Sequence, residues 1–324
     1  MGIAPTVEAV VAAGGAHIPP LMQALDQRLS ELAAGHGAVL ARHGGATIAA
    51  GGKRLRPLLV FVAAGDAAGR GVLRAGVAVE LVHSATLVHD DVLDAAELRR
   101  GRPTVVASAG RGIATATGDL LFSRAFAEIT ANGRADEVRV LSAASSALAR
   151  GELLQRADAF DPEVTIERYL ERCEYKTARL FEGACELGAL EASASAEQVA
   201  SLGVFGRRIG LAFQLLDDVL DVSGPVERTG KARGTDLLDG TVTLPLILAR
   251  EEDPELAELD LRELGTPDRA AAVCDRIAAT GALREAKERA LKIVAEAKRE
   301  LPALPERQRK ALDLVADGVV ERYA

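Results

Sequence analysis

The pentapeptide Asp-Asp-Val-Leu-Asp occurs twice, as Asp90-Asp91-Val92-Leu93-Asp94 and as Asp217-Asp218-Val219-Leu220-Asp221. Each copy follows apolar sequence: Ala85-Thr86-Leu87-Val88 before the first, Leu211-Ala212-Phe213 and Leu215-Leu216 before the second. Any fold open to this chain must therefore carry two sets of carboxylates on largely apolar elements. A surface acidic run would have polar neighbours, so these carboxylates are expected to point into a cavity. On an α-helix the first and last aspartates of each copy share a face one turn apart, with the second beside them. Left unpaired they repel one another and raise their own pKa values, which implies cations between the oxygens, most naturally Mg²⁺. For one copy alone a solvated helix face is the commoner reading; the repetition argues against it.

Elsewhere apolar residues recur at spacings of three and four rather than two, and Ala, Leu, Glu and Arg dominate, which makes the chain all-α. Helices are expected over 19–32, 71–94, 115–130, 137–158, 166–187 and 198–222, then from Leu244 to near Tyr323 with a break at 301–305. A chain of 324 residues, 48% hydrophobic, can bury a large core as one big helical domain or two ordinary ones. No linker or further repeat interrupts it, so a single domain over 19–324 is expected behind a loosely held N-terminus, 1–18. The net charge of −8, with no long basic run, argues against a nucleic-acid partner. Cys173, Cys185 and Cys274 show no paired spacing and read as reduced thiols, which places the protein in the cytoplasm. Met1 to Ala16 lacks a basic leader region and carries Glu8, unlike a signal peptide. No run of eighteen uncharged apolar residues occurs, so no membrane-spanning helix is expected.

Cations gather at helix starts. In Gly51-Gly52-Lys53-Arg54-Leu55-Arg56-Pro57 the paired glycines let the backbone approach a ligand, and three cations in four residues join free N–H groups in an anion site suited to a diphosphate. Lys53 and Arg56 share one helical face. A second cluster, Arg99-Arg100-Gly101-Arg102-Pro103-Thr104, follows the first acidic motif and suggests a bidentate grip on phosphate oxygens, with a salt bridge to the aspartates as the alternative set second. His83 and His89 lie on the long apolar helix; His89 reads as a hydrogen-bonded neighbour rather than a metal ligand, since Mg²⁺ prefers oxygen. Gln214 stands one turn before the second motif, and the polar, glycine-rich stretch from Thr229 to Asp236 could close over a site. Two aspartate triads on facing helices, with basic clusters beside them and a long apolar helix leading away, make a site for a diphosphate with a hydrocarbon tail. Its chemistry is ionisation of that diphosphate by metals and arginines in a pocket that excludes water.

The ordered series GGKRLRP, DDVLD, RRGRPT, YKT, FQLLDDVLD, GKARGTDLLDG and TLPL, from Gly51 to about Leu246, resembles the trans-isoprenyl diphosphate synthases, the polyprenyl synthetase family. The resemblance implies an isoprenoid synthase-type bundle of long helices around a deep apolar cavity, usually a homodimer. It also implies head-to-tail condensation of isopentenyl diphosphate with an allylic diphosphate. Asp90, Asp91, Asp94, Asp217, Asp218 and Asp221 would hold the Mg²⁺ ions, about three with substrate bound. Gly52, Lys53, Arg56, His83 and Arg100 would bind isopentenyl diphosphate. Arg99, Lys176, Thr177, Gln214 and Lys231 would contact the allylic substrate and its leaving group, with Lys176 placed among the catalytic residues beside the aspartates. One departure stands out: where many relatives carry a lysine after the glycine of the GTDLLDG stretch, this chain has Thr241.

The resemblance further implies that product length is set at Ala85 and Thr86, the fifth and fourth positions before the first motif, with Leu81 a turn further on. Their modest size, and the two rather than four residues between the second and third aspartates, favour geranylgeranyl or longer all-trans products. Phe at position 85 would shorten them. An apolar product also implies transient contact with a membrane surface. A class I terpene cyclase shares the first motif but steers cations with aromatic walls, and this chain is 3% aromatic without Trp. A non-catalytic partner subunit of a hetero-oligomeric synthase would have lost the aspartates.

Overall fold

The structure, a computed structural model, describes residues 5–35, 37–49, 52–99, 101–224 and 233–321. Helices dominate, as the spacing predicts. In chain order the first elements are α1 (Pro5–Gly14), α2 (Ile18–Ala34), α3 (Ala38–Ala49), α4 (Leu55–Ala63), α5 (Arg70–Leu93), α6 (Val105–Ala109), α7 (Arg111–Thr130) and α8 (Ala135–Ala157). They continue with α9 (Ile166–Cys173), a π-turn (Glu174–Ala178), α10 (Arg179–Glu191) and α11 (Ala196–Ser223). Further helices include Leu244–Glu252, Pro267–Ala279, Ala282–Arg299 and Glu306–Glu321, the last following a break over 301–305.

The sequence accounts for much of this locally. In α2 the buried residues Ile18, Leu21, Leu25, Leu29 and Leu32 form one stripe at spacings of three and four. Thr104 caps α6 by accepting from the Ala107 N–H, and Thr165 caps α9 by accepting from that of Arg168. Three elements depart from the expectation. Residues 5–14 form α1, with Val7 and Val10 buried, where a loose N-terminus was expected. Gly44 and Gly45, a residue type that ordinarily interrupts helices, lie inside α3. Leu98–Arg99 and Arg102–Pro103 pair as a short antiparallel ladder, β1 and β2, where no strand was expected.

The residues gather into two compact units. The first is drawn from Met1–Ser146, Leu180–Gly206 and Glu300–Gly318, the second from Ala147–Arg179, Arg207–Arg299 and Val319–Ala324. In the first unit α5 packs along α7, and the core includes Leu58, Phe61, Val79, Leu81 and Phe181, all without exposed surface. Gly118 of α7 admits the His89 ring: a Cβ there would lie 2.2 Å from Nε2. In the second unit Tyr169, Ile209, Leu216, Val242 and Leu244 are fully buried.

By length and composition α5 and α11 could each cross a membrane. In α5, however, 67% of the apolar window is buried inside the protein, as in the core helix of a globular chain. Cys173, Cys185 and Cys274 are buried and free.

Candidate active site

Each aspartate triad sits at the C-terminal end of a long helix, Asp90, Asp91 and Asp94 on α5 and Asp217, Asp218 and Asp221 on α11. The carbonyls at that end already carry negative partial charge, so three added carboxylates are unfavourable there unless cations meet them.

In the first unit Asp91 is buried, Asp90 is half-buried and Asp94 is exposed as the C-cap of α5. The Arg99 Nε on β1 donates to Asp91 Oδ1 at 2.7 Å. The salt bridge set second in the sequence is thus what the structure shows for Arg99. His83, Thr86 and Asp90 fall on one face of α5 by their spacing; His83 and Thr86 are half-buried, whereas Leu81 and Ala85 have no exposed surface. His89 turns to α7, with Nε2 3.3 Å from both the Thr115 carbonyl and Asp119 Oδ1, in keeping with the role of a hydrogen-bonded neighbour.

The basic loop before α4 divides its cations. Arg54, at φ 47° in the left-handed region, is committed to the fold: it donates to buried Glu80 Oε1 at 2.6 Å, to Asp26 Oδ1 at 3.2 Å and to the Ile48 carbonyl at 2.9 Å. The third cation of the cluster therefore anchors the loop, and Lys53 and Gly52 are left at the surface. The Arg56 guanidinium lies over the Phe181 ring, 4.7 Å from its centroid.

In the second unit a hydrogen-bonded chain joins three residues named from the sequence. Thr177 Oγ1 donates to Gln214 Oε1 at 2.6 Å, and Gln214 Nε2 donates to Asp218 Oδ1 at 2.8 Å. Tyr169, which nothing in the sequence marked, completes it by donating its hydroxyl to Asp218 Oδ2 at 2.6 Å. The Asp236 N–H donates to Asp221 Oδ2 at 3.3 Å, which brings a further carboxylate beside the triad. Burial pushes the Asp218 carboxyl up to about 8, and the charges of Asp236 and Asp217 add to this against the hydrogen bonds from Tyr169 and Gln214. Lys176 stands on the π-turn, its Nζ 2.7 Å from Glu152 Oε2. Thr241, in place of the usual lysine, is buried, with its N–H donating to the Asp236 carbonyl at 2.8 Å. Arg100 and Lys231, both named as phosphate contacts, lie outside the described residues, as does Gly51.

These donors suit a hard divalent cation: they are all carboxylate oxygens, and the burial and neighbouring carboxylates that push the Asp218 carboxyl up disfavour its charge in a way that a cation would offset. Among the described residues no group of three or more His, Cys, Asp or Glu side chains is arranged to hold a metal ion by itself.

A model of the polyprenyl synthetase family matches residues 38–278. A geranylgeranyl diphosphate synthase of Methanosarcina mazei is 40% identical over 283 residues, covering 84% of this chain and 86% of that one. An octaprenyl diphosphate synthase of Escherichia coli is 39% identical over 215 residues, covering 65% and 67%. Among solved structures, a polyprenyl synthase from Caulobacter crescentus, complexed with calcium and isoprenyl diphosphate, superposes with a TM-score of 0.91 at 34% identity and covers 98% of each chain.

Proposed function

The chain belongs to the polyprenyl synthetase family, and from that premise we propose that it condenses isopentenyl diphosphate head-to-tail with an allylic diphosphate to make an all-trans polyprenyl diphosphate, geranylgeranyl or longer. The observation that carries this reading is the retention of both aspartate triads, each at the carbonyl end of an apolar helix, in a chain similar to prenyl synthases over most of its length.

The residues divide the work. Asp90, Asp91, Asp94, Asp217, Asp218 and Asp221 would hold Mg²⁺, which when bound neutralises the allylic diphosphate and makes it a leaving group. Tyr169 and Gln214 hold the Asp218 carboxylate by both oxygens. Lys176 and Arg99 present cations to the departing diphosphate, Thr177 fixes Gln214, and Lys231 is assigned to the same substrate by motif. Gly52, Lys53, Arg56, His83 and Arg100 take the isopentenyl diphosphate, with the Phe181 ring lying under the Arg56 guanidinium. The allylic cation adds to the double bond of isopentenyl diphosphate, and the proton lost in restoring a double bond passes to the released diphosphate. No side-chain nucleophile takes part. On the same proposal the protein works as one polyprenyl synthetase domain in a cytoplasmic homodimer, with transient contact between its apolar product and a membrane surface.

The test is to incubate the purified protein with Mg²⁺, isopentenyl diphosphate and, separately, dimethylallyl, geranyl, farnesyl and geranylgeranyl diphosphates, then weigh the dephosphorylated products. A ladder in five-carbon steps, abolished by a chelator, is expected, and its end point gives the product length. Intact primers would overturn the reading in favour of a partner subunit; ionisation without elongation would favour a cyclase.

A further inference from the structure

We propose that Glu152 is a positioning residue that holds the Lys176 ammonium in place for the allylic diphosphate; this rests on the prenyltransferase reading above. Three consecutive residues of α8 grip the π-turn. The Arg150 guanidinium covers the Tyr175 ring, 4.2 Å from its centroid, and donates through Nη2 to Glu171 Oε1 at 2.9 Å. Gly151 meets the backbone of the turn so closely that a Cβ would lie 2.4 Å from the Lys176 nitrogen and 2.7 Å from its Cα. Glu152 Oε2 accepts from Lys176 Nζ at 2.7 Å, while Oε1 accepts from Arg156 Nε at 2.9 Å. The residue on each side of a helical position is turned about 100° from it, in opposite directions. With Gly151 against the turn, its two neighbours therefore reach around the contact from opposite sides.

The arrangement does more than neutralise a charge. A lysine is an ammonium on a flexible stem, and one held in place before substrate arrives does not have to be ordered at binding. The ammonium carries three N–H donors, so its bond to Glu152 leaves it able to bond phosphate oxygens as well. Arg156 restrains the Glu152 side chain in turn. Burial pushes the Glu152 carboxyl up, but Lys176 and Arg156 outweigh it and hold the group below the ordinary carboxylate range. The π-turn fits the same purpose: such insertions recur at functional sites because they redirect side chains from the regular helical face.

The variant Glu152→Gln keeps the shape but removes the charge and one of the two acceptors, since an amide nitrogen cannot accept from Lys176 or Arg156. It is expected to raise KM for the allylic diphosphate about tenfold, the loss of one charge-assisted hydrogen bond, while KM for isopentenyl diphosphate stays within about twofold. Glu152→Asp, which keeps the charge with a shorter reach, should fall between and serves if Glu152→Gln does not fold. In a Lys176→Ala background Glu152→Gln should add nothing further, because its effect runs through Lys176. An unchanged or lowered allylic KM, an equal rise in both KM values, or a full additional loss in the Lys176→Ala background would overturn the proposal. If the wild-type protein does not elongate at all, the prenyltransferase reading fails. Calorimetric titration of inorganic diphosphate with Mg²⁺ then decides the positioning role: weaker binding by Glu152→Gln upholds it, and equal binding overturns it.

Discussion

Asp218 accepts a hydrogen bond at each carboxylate oxygen, from Tyr169 and from Gln214, and lies 3% exposed. Both bonds stabilise the ionised form against burial and against Asp236, which push the other way. Tyr169→Phe removes one of them without changing the packed ring. On the proposed role of Asp218 as a metal ligand, it is expected to raise the Mg²⁺ concentration for half-maximal elongation about tenfold, the usual cost of losing a partner that orients such a ligand. Measured initial rates across a Mg²⁺ series check this; an unchanged requirement would make Tyr169 a packing residue. Thr177, Gln214 and Asp218, which the structure joins, could be picked out in the sequence because each sits within a short motif. Tyr169 could not, since 49 residues separate it from Asp218 and only the packed structure pairs them. Arg54 poses the converse problem. In a run of cations nothing local separates the one that anchors the loop on buried Glu80 from Lys53 and Arg56 beside it.

At the scale of elements, the apolar pattern revealed α2, α5, α7, α8 and α11 to within a few residues of their ends, because α2, α7, α8 and α11 each bury a stripe and α5 is buried all round over 75–82. It did not reveal the π-turn, which inserts a change of phase inside one apolar pattern, nor the ladder of two-residue strands, too short to carry a period. The contact at Gly151 gives the π-turn a test. A methyl group there meets backbone atoms of Tyr175 and Lys176, which cannot swing aside as a side chain would. Gly151→Ala is therefore expected to destabilise the protein by about 3 kcal/mol, at the upper end for overpacking, read as a lower denaturant midpoint. A near-neutral effect would show that α8 can shift from the turn. On α5 the burial pattern sharpens the reading of product length. Ala85 and Leu81 have no exposed surface, so Phe at position 85 has first to displace packed neighbours, whereas Thr86 is half-buried one turn before Asp90. Thr86→Phe is expected to shift the main product to a shorter chain, seen in the masses of the dephosphorylated products. An unchanged distribution would remove this face of α5 from control of length.

For the molecule as a whole, the all-α class followed from composition and period, but the gathering of distant segments into two units did not, since no linker marks a boundary in the sequence. Where such segments meet, the structure makes a titrating cluster that the sequence does not announce. Glu137, at the start of α8, has no exposed surface; its Oε2 accepts from Asn132 Nδ2 at 2.8 Å, and the same nitrogen donates to Glu191 Oε1 at 3.3 Å and to the Gly71 carbonyl at 3.2 Å. Burial first, then the hydrogen bond shared with Glu191, push the Glu137 carboxyl up to about 8, only partly offset by Asn132 and Arg134. Unfolded, the group titrates near about 4.3. Because the folded value is the higher one, the native state holds the extra proton. Its contribution to stability is complete below the unfolded value and is lost as pH rises through about 8. The denaturant midpoint should accordingly fall between about pH 5 and about pH 9. Glu137→Gln replaces the protonated acid with a neutral amide, so its midpoint should fall less over that range and exceed the wild-type value at the alkaline end. Parallel wild-type and variant curves would show that the proton is held elsewhere.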